Sequence, residues 1–295
     1  MSVIDLSLLP APDVVETLDF EEILAAMVSD LRQRDSEFDA LLESDPAYKI
    51  LEVAAYRELL LRQRVNDAAR SVMLAYAAGS DLDHLAALYG IERLVIDPGD
   101  PDAAPPVPPS YESDALLRAR VQSAPEGWTS AGSAGAYAWH ATSASAEVKD
   151  ASVSSPSPGE VVVTILSTDT DGTPSAQLLQ DVSEALSDEM VRPLCDGVTV
   201  QAAEIVSFVV EAALTLYFGP DESVVLAQAE GAVKDYIERQ HRLGRDVTTS
   251  GLYAALHQPG VQKVRLVSPT QDLPIEDHQA PWCQSLSITM EGRDE

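Results

Sequence analysis

Positive charge is scarce in this chain: 19 Lys plus Arg stand against 48 Asp plus Glu, a formal net charge of −29. Bare nucleic acid is bound by clustered cations that release counterions from phosphates, and an anionic membrane surface makes the same demand. Neither is therefore expected as a partner. Cysteine is nearly absent as well. Cys195 and Cys283 lie far apart without metal or redox spacing, which excludes a disulfide scaffold and reads as two free thiols in a reducing compartment. Long hydrophobic runs are missing: the most apolar stretch, Ile205 to Phe218, has 14 residues broken by Glu211, too short to span a bilayer. The first ten residues lack a basic n-region and carry Asp5, so they do not read as a signal peptide.

What is present is ordinary globular material. Apolar residues make up 45% and charged residues 23%, enough to build a core, and 295 residues suggest about two domains. The acid is uneven: residues 1–50 hold 12 acids and 3 bases, and residues 168–220 hold 9 acids and 1 base. It forms no run of five like charges, so it decorates folded surfaces rather than a tail.

The pattern divides into an α+β architecture, with an N-terminal long-helix region followed by mixed α/β sheet modules. Residues 1–96 read as helical. Phe20, Ile23, Leu24, Met27, Val28 and Leu31 recur at the 3.6 period behind Asp19 as N-cap. A longer helix is expected from Asp45-Pro46 to a C-terminal stop at Gly79, and a short one from a Ser80-Asp81 cap to Gly90. Residues 97–110 hold six prolines in fourteen positions, so a linker or loop is expected there. Residues 111–203 form a middle region: helices at 112–122 and 130–143, a hairpin of 148–153 with 160–166, a helix at 174–190 and a strand at 197–203. Residues 204–295 form a C-terminal α+β region, with strands at 205–217, 261–267 and 285–290 and helices at 221–241 and 250–257. The order from residue 148 onward, β-β-α-β-β-α-α-β-β, points to mixed sheets with helices alongside.

Chemistry is hard to find. No phosphate-cradling glycine loop, nucleophile elbow or His-Glu-x-x-His occurs, and the five histidines are scattered singly. Asp81, Asp83 and His84 form a candidate metal set for a metal-dependent hydrolase, against the plainer role of acids in a first helical turn. Asp169-Thr170-Asp171-Gly172 resembles the start of a calcium loop, but the twelfth position is Gln180 rather than Glu, so a polar turn is the better reading. Arg57, Arg62, Arg64 and Arg70 suggest either an anion site or pairing with acids of a neighbouring helix or subunit. No catalytic, cofactor or metal residue is assigned.

Larger blocks carry a resemblance. Asp45-Pro46, Lys49-Ile50-Leu51-Glu52, Arg57-Glu58, Arg62, Arg64-Val65-Asn66 and Asp81-Leu82-Asp83 stand in order. They continue into Gly90-Ile91, Arg93, Arg120-Val121-Gln122, Glu126-Gly127-Trp128, Pro158-Gly159-Glu160-Val161, Arg192-Pro193-Leu194 and Gly260-Val261. Across roughly positions 40 to 270 this resembles the J-like baseplate wedge proteins of contractile-tailed phages and R-type, phage-tail-like bacteriocins. The resemblance implies a structural, non-enzymatic part that rings the central hub or spike and transmits the trigger for sheath contraction. Its implied partners are a second, I-like wedge protein, further copies of itself, the sheath initiator and the tail-fibre attachment, with no cofactor. It implies assembly in the host bacterial cytoplasm and a place in the released virion or tail-like particle. A related baseplate of a type VI secretion or similar injection machine is the alternative. Under this reading 1–96 is a wedge core bundle and 204–295 an inter-wedge contact. The partner-facing residues are expected to be Leu51, Val53, Arg57, Leu60, Arg64, Val65, Val72 and Met73.

Overall fold

The computed structural model describes residues 4–294 apart from 5, 7, 8, 11, 130 and 220, and for Ser36 the backbone alone. The fold is α+β: eight α-helices and eight strands lie among the described residues, helices first and sheets after. The chain divides into two compact units, residues 2–93 and 94–295.

The first unit is helical. α1 (Phe20–Arg34) starts where Asp19 accepts hydrogen bonds from the Glu21 and Glu22 amides, at 2.7 and 3.1 Å, satisfying donors that a helix start leaves unpaired. α2 (Pro46–Ser71) runs 26 residues, about 39 Å at 1.5 Å per residue. Asp45 does not cap it, because its carboxylate instead accepts from the Leu42 amide at 2.8 Å. α2 also ends at Ser71, short of Gly79. Residues 72–76 form turns in which Met73 O accepts from the Tyr76 and Ala77 amides, and this bend brings Ala77 under cover. Gly79 is then the first residue of α3 (Gly79–Ala87), and Asp81 lies in that helix's first turn rather than at its cap.

The second unit opens with a narrow ladder where the prolines fall. β1 (Val95–Asp97) pairs with β2 (Ser110–Tyr111), and an isolated bridge joins Asp100 to Val107. The segment expected as a linker or loop is thus a loop pinned at its base. A buried ion pair holds its base: Glu112 bonds the Leu94 amide at 2.9 Å and also meets the guanidinium of Arg120. Burial lowers the Arg120 pKa, with Glu112 opposing that shift.

α4 (Asp114–Gly127) and α5 (Ala134–Ala144) follow, both capped by serines, Ser113 and Ser133. α4 runs past the expected stop at Gln122 and through Pro125, keeping Ala124 in the core. The start expected for α5 at Ser130 lies outside the described residues, and the helix begins at Ala134. The small residues allow close approach: a Cβ on Gly127 would fall 2.1 Å from the ring of Trp139.

The central sheet is β3–β4–β5. β3 (Val148–Ser154) and β4 (Glu160–Ser167) form the hairpin, with Val153 opposite Val163. α6 (Ala176–Leu186) carries the chain over to β5 (Gly197–Ala202), parallel to β4. Tyr137 and Ala141 of α5, Val163 and Ile165 of β4, and Leu178, Val182 and Leu186 of α6 share one core.

The last sheet has the order β7–β6–β8. β6 (Glu204–Leu216) sits between antiparallel β7 (Val261–Ser268) and parallel β8 (Gln279–Arg293). α7 (Glu222–Gln240), capped by Asp221, and α8 (Thr249–Leu256) cover the face made by Val210, Ala212, Leu214 and Leu216. β8 begins six residues before the expected Ser285. Pro281 lies within it, and an edge strand tolerates the missing donor.

Central and C-terminal modules are fused by a joint. Leu166 on the second face of β4 packs with Ala203 and Ala280. Asp150 accepts from the Leu243 amide at 3.1 Å, and Lys149 pairs with Glu238 at 2.6 Å. Burial pushes the Asp150 carboxyl up. His241 is buried with Nδ1 2.7 Å from Pro281 O; a carbonyl only accepts, so Nδ1 carries the proton. At Gly172, where φ is +93°, a Cβ would meet Leu166 at 2.4 Å and the His241 ring at 3.1 Å, so the turn over the joint needs glycine.

Candidate assembly surface

α2 has two apolar faces, and only one is used within its unit. Leu51, Ala55 and Leu59 recur every four residues and pack on Ile23, Leu24 and Val28 of α1. Further along the same face, Asn66 is buried and acts as a surrogate strand partner. Its side-chain oxygen accepts from the Glu16 amide at 3.0 Å, and its side-chain nitrogen donates to Glu16 O at 2.9 Å. Arg62 adds pairs to Glu58 at 2.6 Å and to Glu16 at 3.3 Å.

The opposite face lies open. Ile50 is 68% exposed, Val53 63%, Leu61 68%, Val65 61% and Leu60 41%. At about 100° of turn per residue all five fall on one side of the helix. Only Ala55 and Asn66 of the 26 α2 residues are buried, whereas a helix folded only against its own unit buries a full stripe. Arg57 and Arg64 fall among the exposed apolar positions. Neither they nor Arg70 pair with an acid among the described residues.

The expected partner residues therefore divide. Val53, Arg57, Leu60, Arg64 and Val65 share the open face of α2. Leu51 does not, because it packs half-buried against α1. Val72, 68% exposed, and Met73 lie beyond the helix end in the turn that replaces its last two expected turns. Ile50 and Leu61 belong to the open face as well. The signal for Leu61 was the run Leu59-Leu60-Leu61, since three consecutive leucines on a helix cannot all face one neighbour. Asn66 carried no such signal; a polar residue in a long helix is more often exposed.

The other candidate clusters have plain structural roles. Asp83 pairs with Arg93 at 2.8 Å. Asp169 O accepts from the Gly172 amide at 2.7 Å and Asp171 from the Thr173 amide at 3.0 Å, as in a polar turn. Among the described residues no group of three or more His, Cys, Asp or Glu is placed to hold a metal ion. No helix among them is long and apolar enough to cross a membrane. The Tyr137 hydroxyl donates to Asp196 at 2.9 Å, and burial together with that carboxylate pushes its pKa up to about 12. This neutral phenol ties α5 to the loop before β5.

An extended apolar face, set with arginines that pair with no acid among the described residues, is a surface that suits contact with another chain. Comparison with known proteins gives the class. Family models match in sequence order: the baseplate J-like N-terminal domain over residues 43–100, the baseplate J-like central domain over 129–202, and the baseplate J-like protein C-terminal domain over 208–289. The chain belongs to the baseplate J-like family, a family of structural phage components. It is 48% identical over 302 residues to baseplate protein J of Escherichia phage P2, with all of each chain covered. A solved structure, the six-fold symmetrised cryo-EM structure of the anti-feeding prophage baseplate, is similar with a TM-score of 0.43 and 17% identity. That similarity covers 62% of this chain and 44% of the other.

Proposed function

We propose that this chain is a baseplate wedge component of a contractile phage tail or tail-like bacteriocin. Several copies form the ring around the central hub and pass the trigger for contraction to the sheath. The observation that carries the proposal is the open face of α2. Full burial of each of its large apolar side chains contributes about 1.5–3 kcal/mol, and the fold of residues 2–93 leaves that stabilisation unrealised. An I-like wedge protein and a further copy of this chain are the partners that face would bury. Arg57 and Arg64 would meet acids there, which offsets repulsion between chains that each carry −29.

Membership in the family and the 48% identity to a phage baseplate protein support this role. In this role the protein is part of the virion or tail particle and acts without catalysis. Electron microscopy of particles from cells with and without the gene tests the proposal. Loss of the baseplate, with tails absent or unable to contract, is the expected result. Normal contractile tails in its absence would reject it.

A further inference from the structure

The end of α6 is charged against its own helix. The C-terminal end of a helix carries partial negative charge and is steadied by Lys, Arg or His, and α6 has no base in its last turn. Asp181 and Glu184 stand on its exposed side, and Asp188 and Glu189 follow in the turn beyond Leu186. None of these four acids pairs with a cation among the described residues. The one base of residues 168–220 is Arg192. It lies by the Tyr137–Asp196 bond, where its charge opposes the rise in the Tyr137 pKa that burial and Asp196 cause.

The same loop holds apolar side chains out in water. Leu194 is 100% exposed and Met190 87%, the two most exposed large apolar side chains among the described residues. Hydrogen bonds fix where they stand. The Met190 amide donates to Asp188 Oδ1 at 2.8 Å, the Arg192 amide to Asp188 O at 2.9 Å and the Asp196 amide to Pro193 O at 3.2 Å. Val191 packs on the central core, and Pro193 comes so near Gly132 that a Cβ there would fall 2.6 Å from its ring. The loop is thus anchored by Val191 and Pro193 while it presents Met190 and Leu194. Apolar side chains rimmed by charge have the form of a docking anchor.

We propose that the end of α6 and the loop to β5 dock a basic segment of a different protein. That segment sets Lys or Arg against Asp181, Glu184, Asp188 and Glu189, and an apolar side chain against Met190 and Leu194. Charge complementarity selects this occupant. A second copy of the chain would bring a further −29 to a surface that is already acidic. A cationic segment instead answers the four acids and the negative helix end together, and complementary charge of this kind speeds encounter and excludes like-charged surfaces. The inference rests on the proposed assembly role for where the partner is found, a neighbouring protein of the particle, and not for the binding itself.

Calorimetry of the full-length chain with a synthetic helical peptide of leucine and lysine tests it. The peptide should bind, and a matching peptide of leucine and glutamate should not. Met190→Ser with Leu194→Ser should weaken binding about tenfold, and so should Glu184→Lys with Glu189→Lys. Glu37→Lys with Asp39→Lys changes the net charge equally at a remote exposed site and should weaken binding less than about threefold. The Glu184 and Glu189 variant should also melt at or above the wild-type temperature, because cations now stand at the end of α6. If that variant fails to fold, the serine pair, whose side chains point to solvent, carries the test. No binding by wild type, binding unchanged by the serine pair, equal losses from the local and remote charge pairs, or a folded lysine variant that melts below wild type overturns the site. Sedimentation in which wild type self-associates and the serine pair does not would assign the surface to a second copy, and would overturn the proposal as well. None of these outcomes alters whether particles need the gene, so the two proposals fail separately.

Discussion

The two units solve the problem of burial in opposite ways. In residues 94–295, β4 is covered on both faces: Val163 and Ile165 enter one core, and Leu166 enters the joint beneath β8. Even its charges are built in, Glu112 and Arg120 being nearly sealed from water. In residues 2–93 the longest helix of the chain buries two residues and exposes Ile50, Val53, Leu60, Leu61 and Val65. The first arrangement encloses its sheet cores within one chain. The second leaves apolar surface open to solvent, which under the proposed function another chain covers.

Breaking the sealed ion pair should have the largest effect on stability. Glu112→Ala leaves the Arg120 guanidinium buried without its carboxylate, at a cost of about 3–5 kcal/mol. Urea unfolding should show that loss in the transition of residues 94–295. A loss under about 1 kcal/mol would mean that water reaches the pair, and the unit would be less complete than described.

Asn66→Ala tests the sparse unit. It orphans the Glu16 amide and carbonyl, and the expected loss is about 1–3 kcal/mol, read as earlier melting followed by far-ultraviolet circular dichroism. An unchanged melt would show that residue 16 is held by other contacts.

A smaller effect depends on pH. Burial lowers the His241 pKa below its ordinary value of 6.5, and Lys149 lowers it further, against the Pro281 carbonyl, Glu238 and Asp171. Below pH 6.5 the unfolded chain therefore takes up a proton that the folded chain resists. Stability should fall from pH 6.5 downward until the folded value is reached, and it should be unaffected by this group above pH 6.5. His140, lowered by its own burial, acts with the same sign. Asp150, raised by burial, acts with the opposite sign. Comparing wild type with His241→Gln isolates the histidine: the variant should show the flatter dependence between pH 7 and 5, and identical slopes would place His241 outside the folding linkage.

How far the residues announced this structure follows from how local each signal is. The cap at Asp221 and the stripe Ala229, Val233 lie within a few turns of each other, and α7 formed between the expected bounds. The hairpin of β3 and β4 was legible for the same reason, a turn flanked by alternating residues. The end of α2 was not. Gly79 is a natural helix stop and its φ is +53°, but nothing near Ser71 breaks a helix; the turn there covers Ala77, a tertiary gain without a local mark. The early start of β8 was hidden by Pro281, harmless only because the strand lies at an edge. On the assembly surface, the periodicity of α2 revealed that two faces exist without saying which one α1 would take. Leu51, expected to face a partner, packs against α1, while Ile50 and Leu61 lie exposed on the other face. The buried partners Asn66, His241 and Asp150 depend on chain segments 40 to 93 residues away, beyond the reach of any local pattern.

The most direct test of the central claim, that the open face of α2 is covered by other chains, is the double variant Leu60→Asp with Val65→Asp. Both side chains point to solvent, so stability should change by no more than about 0.5 kcal/mol. The measurement is co-purification of the folded variant with its wedge partners and its incorporation into particles. The account predicts a chain that melts like wild type and is missing from assembled baseplates. Incorporation at wild-type level would contradict it.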